Sequence, residues 1–292
     1  MVRPFRFAVN MLTPTGGEEW AQQCRRAEEL GYDVIQVPDH LGMVAPFPAL
    51  VAAAAVTERP RLGTFVLNAG FWNPTLLARE VATTDALTGG RLELGLGAGY
   101  IEEEHDLAGI PFLSPGGRVD HLAYTVRELD RILRDETHRP SPVQDPRTPL
   151  LIAGNGDRVL RLAAQHADVV AFAGATSGKD GSRLITAEAL EERVRTYRRF
   201  AAERAAEAEL NLLIHQVVVT DDRHAAAREF VRHSPYLTED QVLELPVLAI
   251  GTVQQIAEQL RANRERYGFS YLTVLHPHLE EFGPVIEELR GS

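Results

Sequence analysis

Eight short apolar runs, each followed by sequence of helical spacing, recur along the 292 residues of the chain, and this alternation constrains the fold more than any other feature. The runs are "FRFAVNML" from Phe5, "DVIQVPD" from Asp33, "RLGTFVLN" from Arg61, "RLELGLGAG" from Arg91, "PLLIAGN" from Pro149, "DVVAFAG" from Asp168, "NLLIHQVVVT" from Asn211 and "SYLTVLH" from Ser270. Apolar residues three and four apart predict helices over residues 18–30, 74–87, 119–133, 158–166, 187–206 and 253–267, with Gly31 ending the first and Asn73 capping the second. Parallel strands buried on both faces read as near-continuous apolar runs. Eight of them alternating with helices over this length match an α/β fold built as a single (β/α)8 TIM barrel. Two connections exceed what one crossover needs: residues 100–148, ending in the Pro-rich "HRPSPVQDPRTP", and residues 221–269, with an extra helical stretch near 222–233. These insertions follow strands 4 and 7, on the face where barrel enzymes place their chemistry, and are expected to form a pocket lid or wall. No linker, repeat or low-complexity tract divides the chain, so residues 1–292 are taken as one domain.

Charge narrows the partners. The balance of 41 acidic against 30 basic side chains leaves a formal charge of -11, and the basic residues do not cluster, so no nucleic-acid partner is expected. The longest apolar stretch, residues 44–56, is broken by Pro46 and Pro48 and falls short of a membrane span, and no cationic leader precedes an N-terminal apolar segment. The expectation is a soluble, cytoplasmic protein acting on a small molecule, with no membrane partner and with a homodimer left open. The single cysteine, Cys24, falls in phase with Trp20, Ala27 and Leu30 and is expected to be a buried, reduced thiol.

Several segments carry polar residues that a barrel does not need. Strand 2 ends in "VIQVPDHLG", where Asp39 and His40 could cap the next segment, ligate a metal, relay a proton or line a cofactor pocket. In "ELGLGAGY", Gly95, Gly97 and Gly99 recur at period two and leave one face of strand 4 without side chains. Either a flat ligand or a packed neighbour must approach that face. The turn "IAGNGDR" runs through Gly154, Asn155 and Gly156 into a helix, a layout that aims backbone N–H groups at an anion or simply eases the turn. It is not a Rossmann fingerprint, because Val159 stands where a third glycine is wanted. After strand 6, "TSGK" holds the sole lysine, Lys179, beside Ser177 and Gly178. A glycine-flanked loop suits an anion contact or a solvated side chain better than a Schiff base. The run Glu102, Glu103, Glu104, His105 reads as a solvated helix start rather than a metal site. His276 and His278 follow strand 8, with a structural role as the default.

Taken together, "VPDHL", "LGTFVLNAGFWNPTLLAREVATTDALTGGRLELGLGAGY", "PLLIAGNGDRVLRLAAQHADVVAF" and "IAEQLRANRERYGFSYLTVL" resemble the bacterial luciferase-like superfamily, nearly from end to end, and within it the branch that uses the deazaflavin coenzyme F420. The resemblance implies a barrel mouth that holds the deazaflavin ring against strands 2, 3 and 4, with the phosphate-bearing tail toward the loops after strands 5 and 6. Asp39 and His40 match the family's Asp-His at the end of strand 2, with the histidine reaching the reactive edge of the ring and the acid orienting it. A non-prolyl cis peptide in a bulge of strand 3 would fall near Phe65 and Val66, and Asn68 and Ala69 would touch the ring. Gly97, Ala98 and Gly99 match the segment against the ring, and Gly154, Asn155 and Gly156 the phosphate cradle. "TSGK" is similar to a segment of the F420-dependent glucose-6-phosphate dehydrogenases, yet their catalytic glutamate lies where this chain has Tyr100, so that substrate is not expected. The implied activity is hydride transfer between the deazaflavin C5 and a small organic substrate, either reducing C=C, C=N or C=O or running in reverse. The alternatives carried beside it are an FMN-dependent luciferase-like monooxygenase and a non-catalytic flavin or deazaflavin carrier. An ordinary barrel hydrolase or aldolase is disfavoured by the lack of a paired-carboxylate or metal pattern and by the position of Lys179.

Overall fold

In a computed structural model, which describes residues 3–12, 14, 16–178 and 181–290, eight parallel strands close into a barrel. They are β1 (Arg6–Asn10), β2 (Val34–Val37), β3 (Arg61–Thr64, continued by Leu67–Asn68), β4 (Leu92–Gly97), β5 (Leu150–Ala153), β6 (Val169–Phe172), β7 (Glu209–Ile214) and β8 (Phe269–Leu275). Around the barrel the order is β3, β2, β1, β8, β7, β6, β5, β4, and pairing of Leu62 with Leu92 and of Gly63 with Glu93 closes β3 onto β4. The period of two sorts the side chains. Phe7, Val9, Ile35, Val37, Leu94 and Leu96 face outward into the main core beneath the helices. Ala8, Val34, Leu151, Val169, Ala171 and Tyr271 fill the barrel interior, where Phe65, Val66 and Ala153 lie against them.

The two ends of the barrel differ in chemistry. At the N-terminal end, Arg6 ion-pairs with Glu93 and Glu209, and Arg61 Nε donates to Glu93 Oε1 over 2.6 Å. Tyr271 donates its hydroxyl to Glu93 and accepts from Gln36 Nε2 at 2.9 Å, which closes a buried network on the face that stabilises such barrels. The C-terminal end is left to the loops.

Helices α1 (Gly17–Glu29), α3 (Pro74–Leu87), α5 (Pro115–Leu133), α6 (Asp157–His166), α7 (Ala187–Ala201) and α10 (Val253–Tyr267) follow the predicted spans to within a few residues. The extra helical stretch expected near 222–233 and the helix start expected at Glu102 also form, while the remaining helices had no clear sequence signal. The prolines that interrupt the apolar stretch at 44–56 open α2 (Pro46–Ala54), since a first helical turn needs no N–H from them. The insertion after β4 builds α4 (Glu102–Ala108) before α5. The insertion after β7 builds α8 (Arg223–His233) and the short α9 (Glu239–Glu244), and α11 (Leu279–Arg290) closes the fold. The helix predicted to reach residue 206 ends at Ala201, where Ala202 turns to φ 48 and a 3₁₀ segment follows. The run from Asn211 splits after Ile214, and Gln216–Val219 leaves the barrel to pair in parallel with Leu248–Gly251. An antiparallel hairpin, Ala175–Gly178 with Gly181–Leu184, stands after β6. Among the described residues, no helix is long and apolar enough to cross a membrane.

Candidate active site

The mouth of the barrel is assembled from the ends of β2, β3 and β4. Just past β2, Asp39 and His40 each find a different partner. His40 Nδ1 stands 2.9 Å from Glu104 Oε1, with the glutamate side chain 13% exposed and the histidine 29%. Asp39 Oδ2 instead accepts from the backbone N–H of Asn68 and from Trp72 Nε1, both at 3.2 Å. Burial raises the Asp39 carboxyl above the usual carboxylate range, opposed by those two donors and by His40 and reinforced by Glu104. The acid hydrogen-bonded to His40 is therefore Glu104, not its neighbour in sequence. A cavity of about 260 Å³ runs from His40 and Asp39 along the following loop and the first turn of α2 to Trp72 and Glu80. Its wall is mainly apolar, with Leu41, Met43 and Phe47 among its members.

The acidic run after β4 departs from its sequence reading. Glu102 and Glu103 are exposed, as a solvated helix start requires, but Glu104 turns inward and His105 is 2% exposed. The His105 ring sits 4.9 Å from that of Phe71 and 5.1 Å from that of Phe112. Its Nε2 accepts from Asn68 Nδ2 at 3.0 Å, while Asn68 Oδ1 accepts from the Gly70 N–H at 3.0 Å, which fixes the orientation of the amide. Sequence reasoning missed both residues, because four consecutive polar side chains on a short helix do not reveal which face meets the barrel. Tyr100, exposed over 59% of its surface, places its ring edge-on to His40 with centroids 6.1 Å apart, and burial of its hydroxyl, then Glu104, raises its pKa.

The glycines of β4 have a structural reason. A Cβ on Gly95 would stand 2.0 Å from the Thr64 carbonyl oxygen, and one on Gly97 2.8 Å from Val66 Cγ2. Strand 3 itself occupies that face. The peptide between Phe65 and Val66 is cis, at the position the resemblance implied, and these two residues and Ala153 cover the interior cluster from the mouth side. Ala98 packs against the outer core. Gly99 takes φ +71, has Asn68 Oδ1 where its Cβ would be, and offers its carbonyl to Arg118 Nε at 3.1 Å. Asn68 and Ala69 are buried, and His121 Nε2 donates to the Ala69 carbonyl at 3.0 Å.

At the opposite wall, Gly154 takes φ +156 and crowds Val159, and Gly156 begins α6 as an N-cap without a side-chain acceptor, with open space beside it. Asn155 Nδ2 donates to the Ala175 carbonyl at 2.7 Å. Asn155 Oδ1 and Asn10 Oδ1 are buried and find no partner among the described residues. The backbone of Ser177 and Gly178 ends one strand of the hairpin, and Lys179 lies outside the described residues. His276 lies just past β8, its pKa lowered by burial, with Glu19 opposing. Among the described residues, no group of three or more His, Cys, Asp or Glu side chains could hold a metal ion.

Residues 1–271 match the family described as luciferase-like monooxygenase. The F420-dependent glucose-6-phosphate dehydrogenase of Beutenbergia cavernae is 34% identical over 235 residues, which cover 71% of this chain and 66% of that protein. The oxygenase component of the flavin-dependent trigonelline monooxygenase of Acinetobacter baylyi is 31% identical over 166 residues, 51% of this chain and 46% of that one. The chain thus spans about half to two thirds of the length of the curated relatives it matches. Among solved structures, an F420-dependent secondary alcohol dehydrogenase in complex with an F420-acetone adduct superposes with a TM-score of 0.76 at 16% identity, covering 97% of both chains. Long-chain alkane monooxygenase superposes at 0.77 with 15% identity, covering all of this chain and 92% of that one. At such identities these two likenesses establish the fold.

Proposed function

Because the chain belongs to the luciferase-like monooxygenase family, we propose that it is a coenzyme F420-dependent oxidoreductase working at the C-terminal mouth of one barrel domain. The observation that carries the choice of cofactor is the similarity to an F420-dependent dehydrogenase over 71% of the chain, against 51% for the flavin-dependent monooxygenase. The residues at the mouth fit such a group. Asn10 presents a buried, unpartnered amide oxygen that a ring N–H could satisfy, and the uncapped first turn of α6 at Gly156 leaves backbone N–H groups free for a phosphate.

When bound, F420 would supply a hydride donor or acceptor at its C5. Val66, Asn68, Gly97, Ala98 and Gly99 would form the surface behind the ring, with Phe65 and Ala69 fixing that surface from below and beside it. Gly154, Asn155 and Gly156 would hold the phosphate, with Ser177, Gly178 and Lys179 as further anion contacts. His40 would stabilise the reacting group of the substrate or exchange a proton with it at an imidazole nitrogen, as general acid–base groups do. Asp39 contributes by tying Trp72 and the Asn68 backbone to the end of β2. The apolar cavity beside His40 favours a neutral organic substrate with a C=C, C=N or C=O bond over a sugar phosphate.

Titration of the cofactor-free protein with oxidised F420 and separately with FMN, followed by tryptophan fluorescence, tests the reading. Trp72, bonded to Asp39 at the mouth, is the reporting residue, whereas Trp20 is buried beneath α2. Preferential saturation by F420, followed by F420H2-dependent reduction of a carbonyl, imine or alkene, is the expected result. Preferential FMN binding with oxygen consumption would transfer the protein to the monooxygenase side of the family.

A further inference from the structure

We infer that Glu104 is the positioning residue for His40, holding its imidazole as the Nδ1–H tautomer with the lone pair on Nε2. An ionised carboxylate only accepts hydrogen bonds, so across the 2.9 Å contact the proton must sit on His40 Nδ1. A neutral ring then offers Nε2 as its base. Asp39 is bonded elsewhere, its Oδ2 accepting from the Asn68 N–H and from Trp72 Nε1.

The glutamate is rigidly placed. His105, the next residue of α4, is clasped between Phe71 and Phe112 and bonded to Asn68, so the helix cannot swing away from the barrel. Gly109, at φ +66, ends α4 one turn later. Two consecutive side chains thus fasten α4 to two strands, Glu104 through His40 beyond β2 and His105 through Asn68 on β3. The titratable groups facing His40 are Glu104 on α4, Tyr100 from the end of β4 and its own neighbour Asp39. All three carry negative charge when ionised, and of the three it is Glu104 that makes a hydrogen bond to the ring. The catalytic meaning of this arrangement rests on the function proposed above; the arrangement itself does not.

The test uses the ¹⁵N-labelled full chain, in which long-range ¹H–¹⁵N spectra report the tautomer of each histidine, with His40→Gln identifying the His40 signals. Wild type is expected to show the Nδ1–H tautomer. Glu104→Ala is expected to shift His40 toward Nε2–H, whereas Glu104→Gln, whose amide oxygen can still accept from Nδ1–H, is expected to keep the Nδ1–H form. With the reducible substrate identified by screening, kcat should fall by about 10²-fold in Glu104→Ala with little change in KM, and Glu104→Gln should recover part of that loss. An unchanged tautomer in Glu104→Ala would overturn the inference. If the spectra change as expected but no F420-dependent turnover exists, Glu104 keeps its role and the proposed activity falls.

Discussion

Replacing His40 by alanine is expected to lower turnover about 10²- to 10⁴-fold, the usual worth of a general acid–base group, while leaving F420 affinity nearly unchanged. Unimpaired kcat with tight cofactor binding would remove the histidine from the chemistry. Asp39 allows a different measurement. Its carboxyl is raised by burial, so the folded protein holds that proton more tightly than the unfolded chain does. The resulting stability is greatest in acid and is lost as pH rises from the ordinary carboxylate pKa through the raised one. Urea unfolding of wild type and Asp39→Asn across that window should show their stability difference falling with pH, then flat above it. A difference that grew with pH would contradict the burial argument. Asp39 and His40 stood out in the sequence because a polar pair ended an apolar run, but the sequence reading made Asp39 the orienting acid. The choice of Glu104 instead depends on α4, which brings a residue 64 positions away in sequence to the histidine while Asn68 and Trp72 take Asp39.

At the level of elements, β4 shows how a pattern can be legible while its cause is not. The glycines at period two were visible in sequence, but the atoms that require them sit on β3, at Thr64 and Val66. Gly95→Ala would push a methyl group into a backbone carbonyl and is expected to cost about 3 kcal/mol, measured by urea or thermal unfolding. Gly156→Ala, with nothing within 4 Å, should cost no more than about 1 kcal/mol. Equal losses at the two positions would show that strand packing does not explain the glycine face. The same locality explains the helix α2, hidden by its own prolines, and the hairpin after β6, whose glycine-rich residues have no periodicity to read.

Across the whole molecule the barrel separates stability from function. Arg6, Arg61, Glu93, Glu209 and Tyr271 close the N-terminal end, and Arg6→Met would leave carboxylates buried without one of their cations. A loss of about 3–5 kcal/mol in unfolding free energy is expected, with the F420 dissociation constant of the surviving folded protein unchanged. A weakened cofactor affinity at wild-type stability would show that the two ends are coupled. The eight-fold alternation of apolar runs and helices was enough to specify a closed parallel barrel, because strands buried on both faces and helices buried on one leave periodic signatures in any chain. The motifs at the ends of strands 2 to 5 likewise marked the mouth. Tertiary structure alone decided which polar residue meets which: that Glu104 takes His40, that His105 locks Asn68, and that β3 fills the glycine face of β4. Such contacts join residues tens of positions apart, and their partners are selected by strand register and helix rotation, which no local spacing records.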